Sequence, residues 1–363
     1  MRGERRPLRL GARVNRFMCG GHAISSVAQR LRYWRRILDA YLLHKGSSNL
    51  SFWHTDLAWN TLTDEDRQSV RRYPMNFSAK TAYRGPRDAQ GVIMLDYKGS
   101  LGLKYNPNAI AQLALGWYDL HLDALAEGNG TLAARFGEAF LAQAGWFLTH
   151  GREVSDGVHL WEYEFPFEFR EPLIAPWRSA LAQGQAISVL IRAYGLTREE
   201  EYGHKARLGF NAFRCEASAH PGGVLCRDEE GTWLEETILS RPNHILNGFV
   251  WALWGVRDYA VWSGDPFAGR LYHEAEQTLA RRLDVYDVGF WTCYDDSRKT
   301  GPPIMPASPY YQRLHVVQMQ AMYELTHNDV YLQTHRKWLA YADNLLYRLI
   351  AFLWKCWFKV RYW

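Results

Sequence analysis

The sequence predicts a mainly helical fold, an (α/α) toroid of about four helix hairpins with a small extended N-terminal arm. Two observations predict it: an amide-centred helical stretch recurs four times, and each such stretch runs into a second helical pattern. The amides are Gln112 in IAQLALG, Gln183 in LAQGQAI, Asn247 in ILNGFVW and Gln318 in VVQMQAM, spaced by 71, 64 and 71 residues. A hairpin buries its apolar face only when neighbours stack on it. Four hairpins in a ring would gather the starts of the inner helices around a central cleft.

The chain divides into three predicted parts, 1–105, 106–350 and 351–363. In the first, an Arg- and Gly-rich stretch precedes a basic amphipathic helix at 26–43 and an extended arm with a hairpin, in which VIMLDY is a strand. The second part is the toroid, with Pro107 at the first helical position after the cap Asn106. Its hairpins are expected at about 106–150, 176–214, 244–284 and 310–350, joined by long loops. The third part is a basic, aromatic tail.

Composition indicates a soluble globular protein with an excess of rings. Hydrophobic residues make up 47% and charged residues 22%, but aromatics reach 15%, with 16 Trp and 21 Tyr. Exposed rings suit flat sugar faces, and the alternative is aromatic packing between helices. The net charge of +5 is enough to attract an acidic polymer, but it does not indicate a nucleic-acid binder.

The sequence contains no signal for a metal site, a nucleotide or a membrane span. The five cysteines have no CxxC or Cys/His ligand spacing, which favours a reducing compartment. No signal peptide or uninterrupted apolar run of about 18 residues is evident. We therefore expect a cytoplasmic or peripheral membrane protein without a metal or cofactor. Its basic aromatic ends are candidates for membrane contact, and packing of the tail on the toroid is the alternative.

Several ordered segments resemble one family. They are YNPNAIAQLAL, PWRSALAQGQAISVLIRAYGLT, WLEETILSRPNHILNGFVWALWGVRDY, YDVGFWTCYDD and the run from Tyr311 to His315. Together these segments, over about 95–340, are similar to the C-terminal helical domain of the D-glucuronyl C5-epimerases. The resemblance implies inversion of C5 in glucuronic acid residues of a heparosan-type acidic polysaccharide, giving iduronic acid, as in heparan sulfate biosynthesis. It also implies a homodimer.

That reaction removes the hydrogen alpha to a carboxylate and returns a proton to the opposite face, so it needs two proton-transfer groups and donors that neutralise the carboxylate. By matching position, the resemblance implies Glu236 and Tyr311 as the catalytic pair. Tyr294 matches a further tyrosine of the site, and we group it with that pair. A solvated Glu pair and a packing tyrosine remain the structural alternatives.

The remaining candidates are assigned to substrate binding. Arg178 and Trp177 would hold a sugar carboxylate and ring at the start of hairpin two, and Arg298 is expected near the carboxylate. His315 follows Tyr311 by one turn, so the two are expected to share a face and a hydrogen bond. The other candidates are Glu235, Gln183 and Asn247. Buried amides that bond helix ends are the alternative for the last two.

Two rival functions stay open. A polysaccharide lyase starts from the same carbanion and expels the C4 substituent, which leaves an unsaturated chain end. A non-catalytic glycan-binding protein would keep the toroid without the chemistry, and Thr237, where the family usually has Tyr, favours it.

Overall fold

The computed structural model describes residues 52–97, 99–155, 157–296 and 304–362, together with residues 18–19, 22–23 and 35. The predicted amphipathic helix at 26–43 therefore lies outside the described residues except for Arg35, which is helical and exposed, and Arg298 also lies outside them. The prediction of a mainly helical fold is confirmed.

The helices follow the predicted hairpins, except that hairpin four ends at Asp343 and the predicted start of the tail at 351 falls inside the last helix. In chain order they are α1 Asp64–Gln68, α2 Pro107–Ala126, α3 Gly130–Thr149, α4 Ala180–Thr197, α5 Glu200–Phe210, α6 Leu246–Ser263, α7 Pro266–Arg282, α8 Pro309–Thr326, α9 Asp329–Asp343 and α10 Leu345–Tyr362. Short 3₁₀ turns occupy Ser78–Ala82, Asn211–Arg214 and Leu283–Tyr286. The predicted cap of the first hairpin is confirmed, because the Asn106 side chain accepts a hydrogen bond from the Ala109 amide and Pro107 starts α2.

The strands are short and pair as two-stranded antiparallel ribbons in the arm and the loops. The pairs are β1 Met18–Cys19 with β2 His22–Ala23, β3 Ala58–Trp59 with β4 Met75–Asn76, β5 Leu95–Asp96 with β6 Leu103–Lys104, β7 Arg152–Glu153 with β8 His159–Leu160, β9 Phe167–Glu168 with β10 Pro172–Leu173, and β11 Leu225–Asp228 with β12 Gly231–Leu234. Of the predicted strand VIMLDY, only Leu95–Asp96 forms a paired strand, β5, and Ile93 makes an isolated bridge to Arg87.

Four antiparallel hairpins, α2/α3, α4/α5, α6/α7 and α8/α9, form the body of the toroid. The first helix of each hairpin is the inner one: α2 contacts α4, α4 contacts α6, and α6 contacts α8. α4 and α6 are almost entirely buried. All four inner helices therefore begin at one end of the ring, where the long loops also lie.

The arm links the first and last hairpins. β3 and β4 contact α8, while the 3₁₀ turn at Ser78–Ala82 packs on α2. Asp119 of α2 is buried and accepts hydrogen bonds from the Asn60 side chain at 2.9 Å and the Phe77 amide at 3.0 Å. The arm thus lies between α2 and α8, and it carries Tyr73 into the inner-helix layer, where Tyr73 meets Trp254 edge to face.

The contact between α4 and α6 depends on two glycines. A Cβ on Gly255 would lie 2.3 Å from the Cα of Gly184, closer than two such atoms can approach. We expect Gly255→Ala to lower the free energy of unfolding by about 1–3 kcal/mol, because the helices must separate. Gly269→Ala on α7 is the matched control, since its Cβ would meet nothing within 4 Å. That control should gain up to about 1 kcal/mol from the lost flexibility of the unfolded chain. Urea denaturation of both variants measures the difference, and equal stability would contradict the close contact.

The last helix, α10, buries two cations and exposes six large apolar side chains. Arg348 and Lys355 are buried, and the Lys355 ammonium donates to the Pro306 carbonyl at 2.8 Å. The exposed large apolar side chains of α10 are Leu345, Leu346, Leu349, Ile350, Leu353 and Trp357. Within the described part of the chain, no helix has the length and apolarity needed to cross a bilayer. Membrane contact through the chain ends stays a prediction.

Candidate active site

Glu236 lies between β12 and α6, with its side chain lodged against the first turn of α6. Its carboxylate accepts a hydrogen bond from the Asn247 side-chain amide at 3.3 Å. A Cβ on Gly248 would lie 2.1 Å from the Glu236 carboxylate oxygen, so only glycine leaves room for this seat. Burial raises the pKa of Glu236 to about 8, the Asn247 hydrogen bond lowers it, and the charge of Glu235 raises it further. A carboxyl group of this kind can exchange protons near neutral pH.

Three tyrosines lie near Glu236. The charge of Glu236 is close enough to raise the pKa of Tyr311, Tyr294 and Tyr163, in addition to the larger effect of burial on each. The rings of Tyr294 and Tyr311 meet edge to face, with centroids 4.7 Å apart. The two phenols share a hydrogen bond that lowers the pKa of Tyr311 and raises that of Tyr294, as expected if Tyr294 donates. Burial is the largest of these effects, and it raises the pKa of Tyr311 to about 12.

Backbone hydrogen bonds hold these groups at the starts of three inner helices. The Ala180 amide, first in α4, donates to the Glu235 carbonyl at 2.8 Å, and the Leu246 amide, first in α6, donates to the Tyr294 carbonyl at 3.3 Å. Tyr311 lies in the first turn of α8, which is capped by Ser308. The partial positive charges of three helix N-termini therefore lie around one cluster, formed by Glu236, Tyr163, Tyr294 and Tyr311 and called the hollow.

Glu235 points away from this hollow. Its carboxylate is buried and pairs with the Nδ1 atom of His244 at 2.5 Å, and it also accepts from the His244 amide at 3.3 Å. His244 in turn stacks on Trp233, with centroids 4.0 Å apart. Through these contacts Glu235 holds the backbone next to Glu236 in place. A substrate-binding role was expected for Glu235.

Trp177 and Arg178, the two candidates at the start of hairpin two, make contacts with different parts of the protein. Trp177 stacks on Tyr163 at a centroid distance of 3.8 Å and so borders the hollow. The Arg178 guanidinium donates to the carbonyls of Gly223 at 2.7 Å and Ala217 at 3.1 Å. Arg178 therefore binds the loop that contains Ala217 and Gly223. A contact between Arg178 and a sugar carboxylate stays a prediction.

In α4, the amide that meets another inner helix is Gln185, and Gln183 has a different role. Gln183 donates to the carbonyls of His159 and Gly209 at 2.6 and 2.9 Å, which is the role of a buried brace. Gln185 is the amide of α4 that meets Gln112, at 3.4 Å. Residues two apart lie about 200° apart around a helix, so Gln183 and Gln185 face opposite ways. Asn247 lies beside Glu236, to which its side-chain amide donates a hydrogen bond, and a role in substrate binding stays a prediction.

The expected hydrogen bond between His315 and Tyr311 is replaced by another one. The Nδ1 atom of His315 lies 2.9 Å from the Thr292 hydroxyl, and its ring is near Trp338 of the outer helix α9. Burial lowers the pKa of His315 to about 3, so it stays neutral. One helical turn is not enough to aim both side chains at one spot, because packing against α9 draws His315 outward.

Two site features were missed at the sequence level. Tyr163 belongs to the segment WEYEF, whose strand-like alternation buries Trp161, Tyr163 and Phe165 on one side. That period of two was visible and indicated which face Tyr163 takes. Arg170 forms a buried, two-pronged ion pair with Asp295 at 2.6 and 2.8 Å, which ties the β9–β10 ribbon to the loop of Tyr294.

In the part of the chain that the structure describes, no group of three or more His, Cys, Asp or Glu side chains could hold a metal ion.

The fold and this hollow define a helical toroid with an acid and a phenol set at the starts of its inner helices. The family model for the D-glucuronyl C5-epimerase C-terminus matches residues 155–340, just over half of the chain, and the chain belongs to this family. The resemblance inferred from the sequence is thereby confirmed.

Two curated relatives and one solved structure add to this comparison. An uncharacterized protein of Methanocaldococcus jannaschii is 31% identical over 183 residues, 49% of this chain and 56% of that protein. The D-glucuronyl C5-epimerase of Caenorhabditis elegans is 28% identical over 220 residues, 56% of this chain and 35% of that enzyme. The matches thus span about half or less of these relatives. Cellobiose 2-epimerase from Spirochaeta thermophila aligns with a TM-score of 0.42 and 17% identity, covering 64% of this chain and 57% of that one.

Proposed function

We propose that this protein is a uronate C5-epimerase that converts D-glucuronic acid to L-iduronic acid residues within a heparosan-type polysaccharide. The observation that carries the proposal is that Glu236 lies close enough to Tyr311 and Tyr294 for its charge to raise the pKa of each phenol, while the two tyrosine rings meet edge to face. Family membership supports the same reaction class. Two proton-transfer groups on opposite sides of a sugar carbon are what inversion at C5 requires.

In the proposed first step, the Glu236 carboxylate removes the C5 hydrogen as a proton. The electron pair of the C–H bond moves into the uronate carboxylate, giving an enediolate. A base with a raised pKa is better matched to a weak carbon acid than an ordinary carboxylate is. The Asn247 hydrogen bond keeps part of Glu236 ionised near neutrality, since it opposes the effect of burial.

In the second step, the Tyr311 phenol delivers its proton to the other face of C5, and the electron pair returns to form the new C–H bond. The tyrosinate that is left accepts the hydrogen bond from Tyr294, which favours that charged form. Proton exchange with solvent then restores Glu236 as a carboxylate and Tyr311 as a phenol.

The enediolate needs positive potential near the uronate carboxylate. The helix N-termini of α4, α6 and α8 supply part of it. Arg170 is already paired with Asp295, and Arg178 is engaged with loop carbonyls. Binding of the uronate by uncharged donors such as the Tyr163 phenol, backed by these helix ends, fits the described residues best.

The deciding experiment is incubation of the full chain with heparosan in deuterated water, followed by NMR at C5. Deuterium at C5 with unchanged chain length supports epimerisation. Unsaturated, ultraviolet-absorbing chain ends would instead identify a lyase, and binding without exchange would identify a glycan-binding protein.

The pH dependence gives a further prediction. Because the base form of Glu236 is required and its pKa is about 8, roughly one site in ten is active at pH 7. We expect kcat/KM to rise about tenfold per pH unit below pH 7 and to level off above about pH 8. Asn247→Leu removes a hydrogen bond that lowers this pKa, so its profile should shift to higher pH. A profile in Asn247→Leu that stays in place or shifts to lower pH would contradict Glu236 as the base.

A further inference from the structure

A cavity of about 340 Å³ opens beside the hollow, between hairpin one and the loop segment 160–164. Lys104 and Tyr105 line it just before α2, and His150 and Arg152 line it just after α3. Because α2 and α3 are antiparallel, the start of one and the end of the other lie at the same end of the toroid. The cavity therefore opens on the face that carries Glu236. Its volume is at the lower end of the range for ligand pockets, about 300–1,000 Å³.

The segment that carries Tyr163 is a wall shared by the hollow and the cavity. Tyr163 is buried toward Glu236 and stacks on Trp177. Glu162 and Glu164, on the other side of the same extended segment, line the cavity. Alternate residues of an extended chain point to opposite faces, so a linear ligand crossing this rim would meet both sites.

Aromatic rings line one side of the cavity, and the ion pair of Glu162 and Arg152 lines another. His150 stacks on Trp146 with centroids 4.6 Å apart, and Tyr105 packs against both rings. Glu162 is only 9% exposed and is held by two hydrogen bonds from Arg152, at 3.0 and 3.1 Å. Sugar rings offer the matching combination of an apolar face and hydroxyl edges.

Two polar groups of this cavity lack partners. No hydrogen bond or ion pair joins the Lys104 ammonium to another described residue, and Lys104 is half-buried at the cavity wall. Trp146 is 6% exposed, and its indole N–H has no acceptor among the described residues. A buried donor without a partner costs free energy, which a ligand oxygen or a bound water would recover.

We propose that this cavity is a distal subsite for an acidic glycan, in which the Trp146–His150 platform supports a sugar ring and Lys104 binds a uronate carboxylate. The proposal rests on the proposed function, because it assumes the same polysaccharide. The subsite would hold the chain beyond the residue being epimerised and so favour long chains over short ones.

The test uses Glu236→Gln as the background, so that binding is measured without turnover. Calorimetry with heparosan oligosaccharides of increasing length should show a rise in affinity at the length that reaches the cavity. With Lys104→Met added, the affinity for oligosaccharides that reach the cavity should fall by about tenfold, the loss expected for one charge-assisted hydrogen bond. Leu103→Trp, at a 47% exposed position on the cavity wall, should block it by filling the space.

Arg135→Gln is the matched control, since it removes an exposed cation from the outer helix α3 of the same hairpin. It should leave the length dependence unchanged. The same affinity at every length in Lys104→Met and its parent would overturn the subsite, as would a complete absence of binding. The proposed function is judged separately by deuterium exchange in the wild-type chain, so either proposal can fail while the other stands.

Discussion

Replacing Glu236 with Gln should slow deuterium exchange at C5 of heparosan by about 100-fold or more, the effect of one positioned proton-transfer group. The amide has nearly the same shape as the carboxyl group, and its carbonyl oxygen still accepts the Asn247 hydrogen bond seen in the wild type. It has no basic oxygen that can take the C5 proton. The rate of deuterium exchange, followed by NMR at C5 of heparosan, measures this decrease in activity.

Stability provides the internal check on this variant. Burial raises the pKa of Glu236 in the folded chain, so the folded state disfavours the carboxylate and loses stability as pH rises through about 8. Glu236→Gln should therefore unfold at no lower a temperature than the wild type at pH 9. Glu229→Gln makes the same change at an exposed position in the β11–β12 turn and should leave exchange intact. Exchange at the wild-type rate in Glu236→Gln would show that another group is the base.

Tyr311→Phe is expected to have a comparable effect, on the order of 100-fold or more, because it removes the proton donor on the opposite face of C5. The ring packing against Tyr294 would remain. Tyr294→Phe removes only the hydrogen bond that favours the Tyr311 phenolate, so a smaller loss of about tenfold is expected.

Tyr310→Phe is the matched control for Tyr311→Phe. Tyr310 is the preceding residue on α8 and meets His54 edge to face, so it contacts the arm. Tyr310 also meets the Tyr311 ring edge to face, and a Phe ring keeps both contacts, so exchange should stay within about twofold of the wild type. If Tyr310→Phe loses more activity than Tyr311→Phe, the catalytic phenol has been assigned to the wrong residue. A lyase would be revealed in the same assays by unsaturated chain ends.

The placement of the catalytic candidates shows what a repeat can and cannot predict. The repeat and the cap at Asn106 were sufficient for the hairpins, because helix periodicity and capping are local properties. Glu236 and Tyr311 were expected to flank one site with Asn247 beside them, and the structure places Asn247 against Glu236 and the Glu236 charge near Tyr311. Their catalytic roles stay a prediction.

The differences between the expected and the observed contacts concern side-chain direction. Gln183 braces backbone carbonyls while Gln185 faces the adjacent inner helix, and His315 turns toward α9. A choice between two faces of a helix depends on which neighbour packs against each face, and that neighbour is distant in the chain.

By itself the sequence determined the helical class, the hairpin boundaries and the family, because these depend on spacing and on runs of neighbouring residues. Only the tertiary structure decided that Glu235 pairs with His244 while Glu236 faces the tyrosines, and that Arg178 clasps a loop. Adjacent residues of one sequence pair are separated in this way because each side chain takes the partner that the folded loops bring to it, and burial then fixes the charge that it can carry.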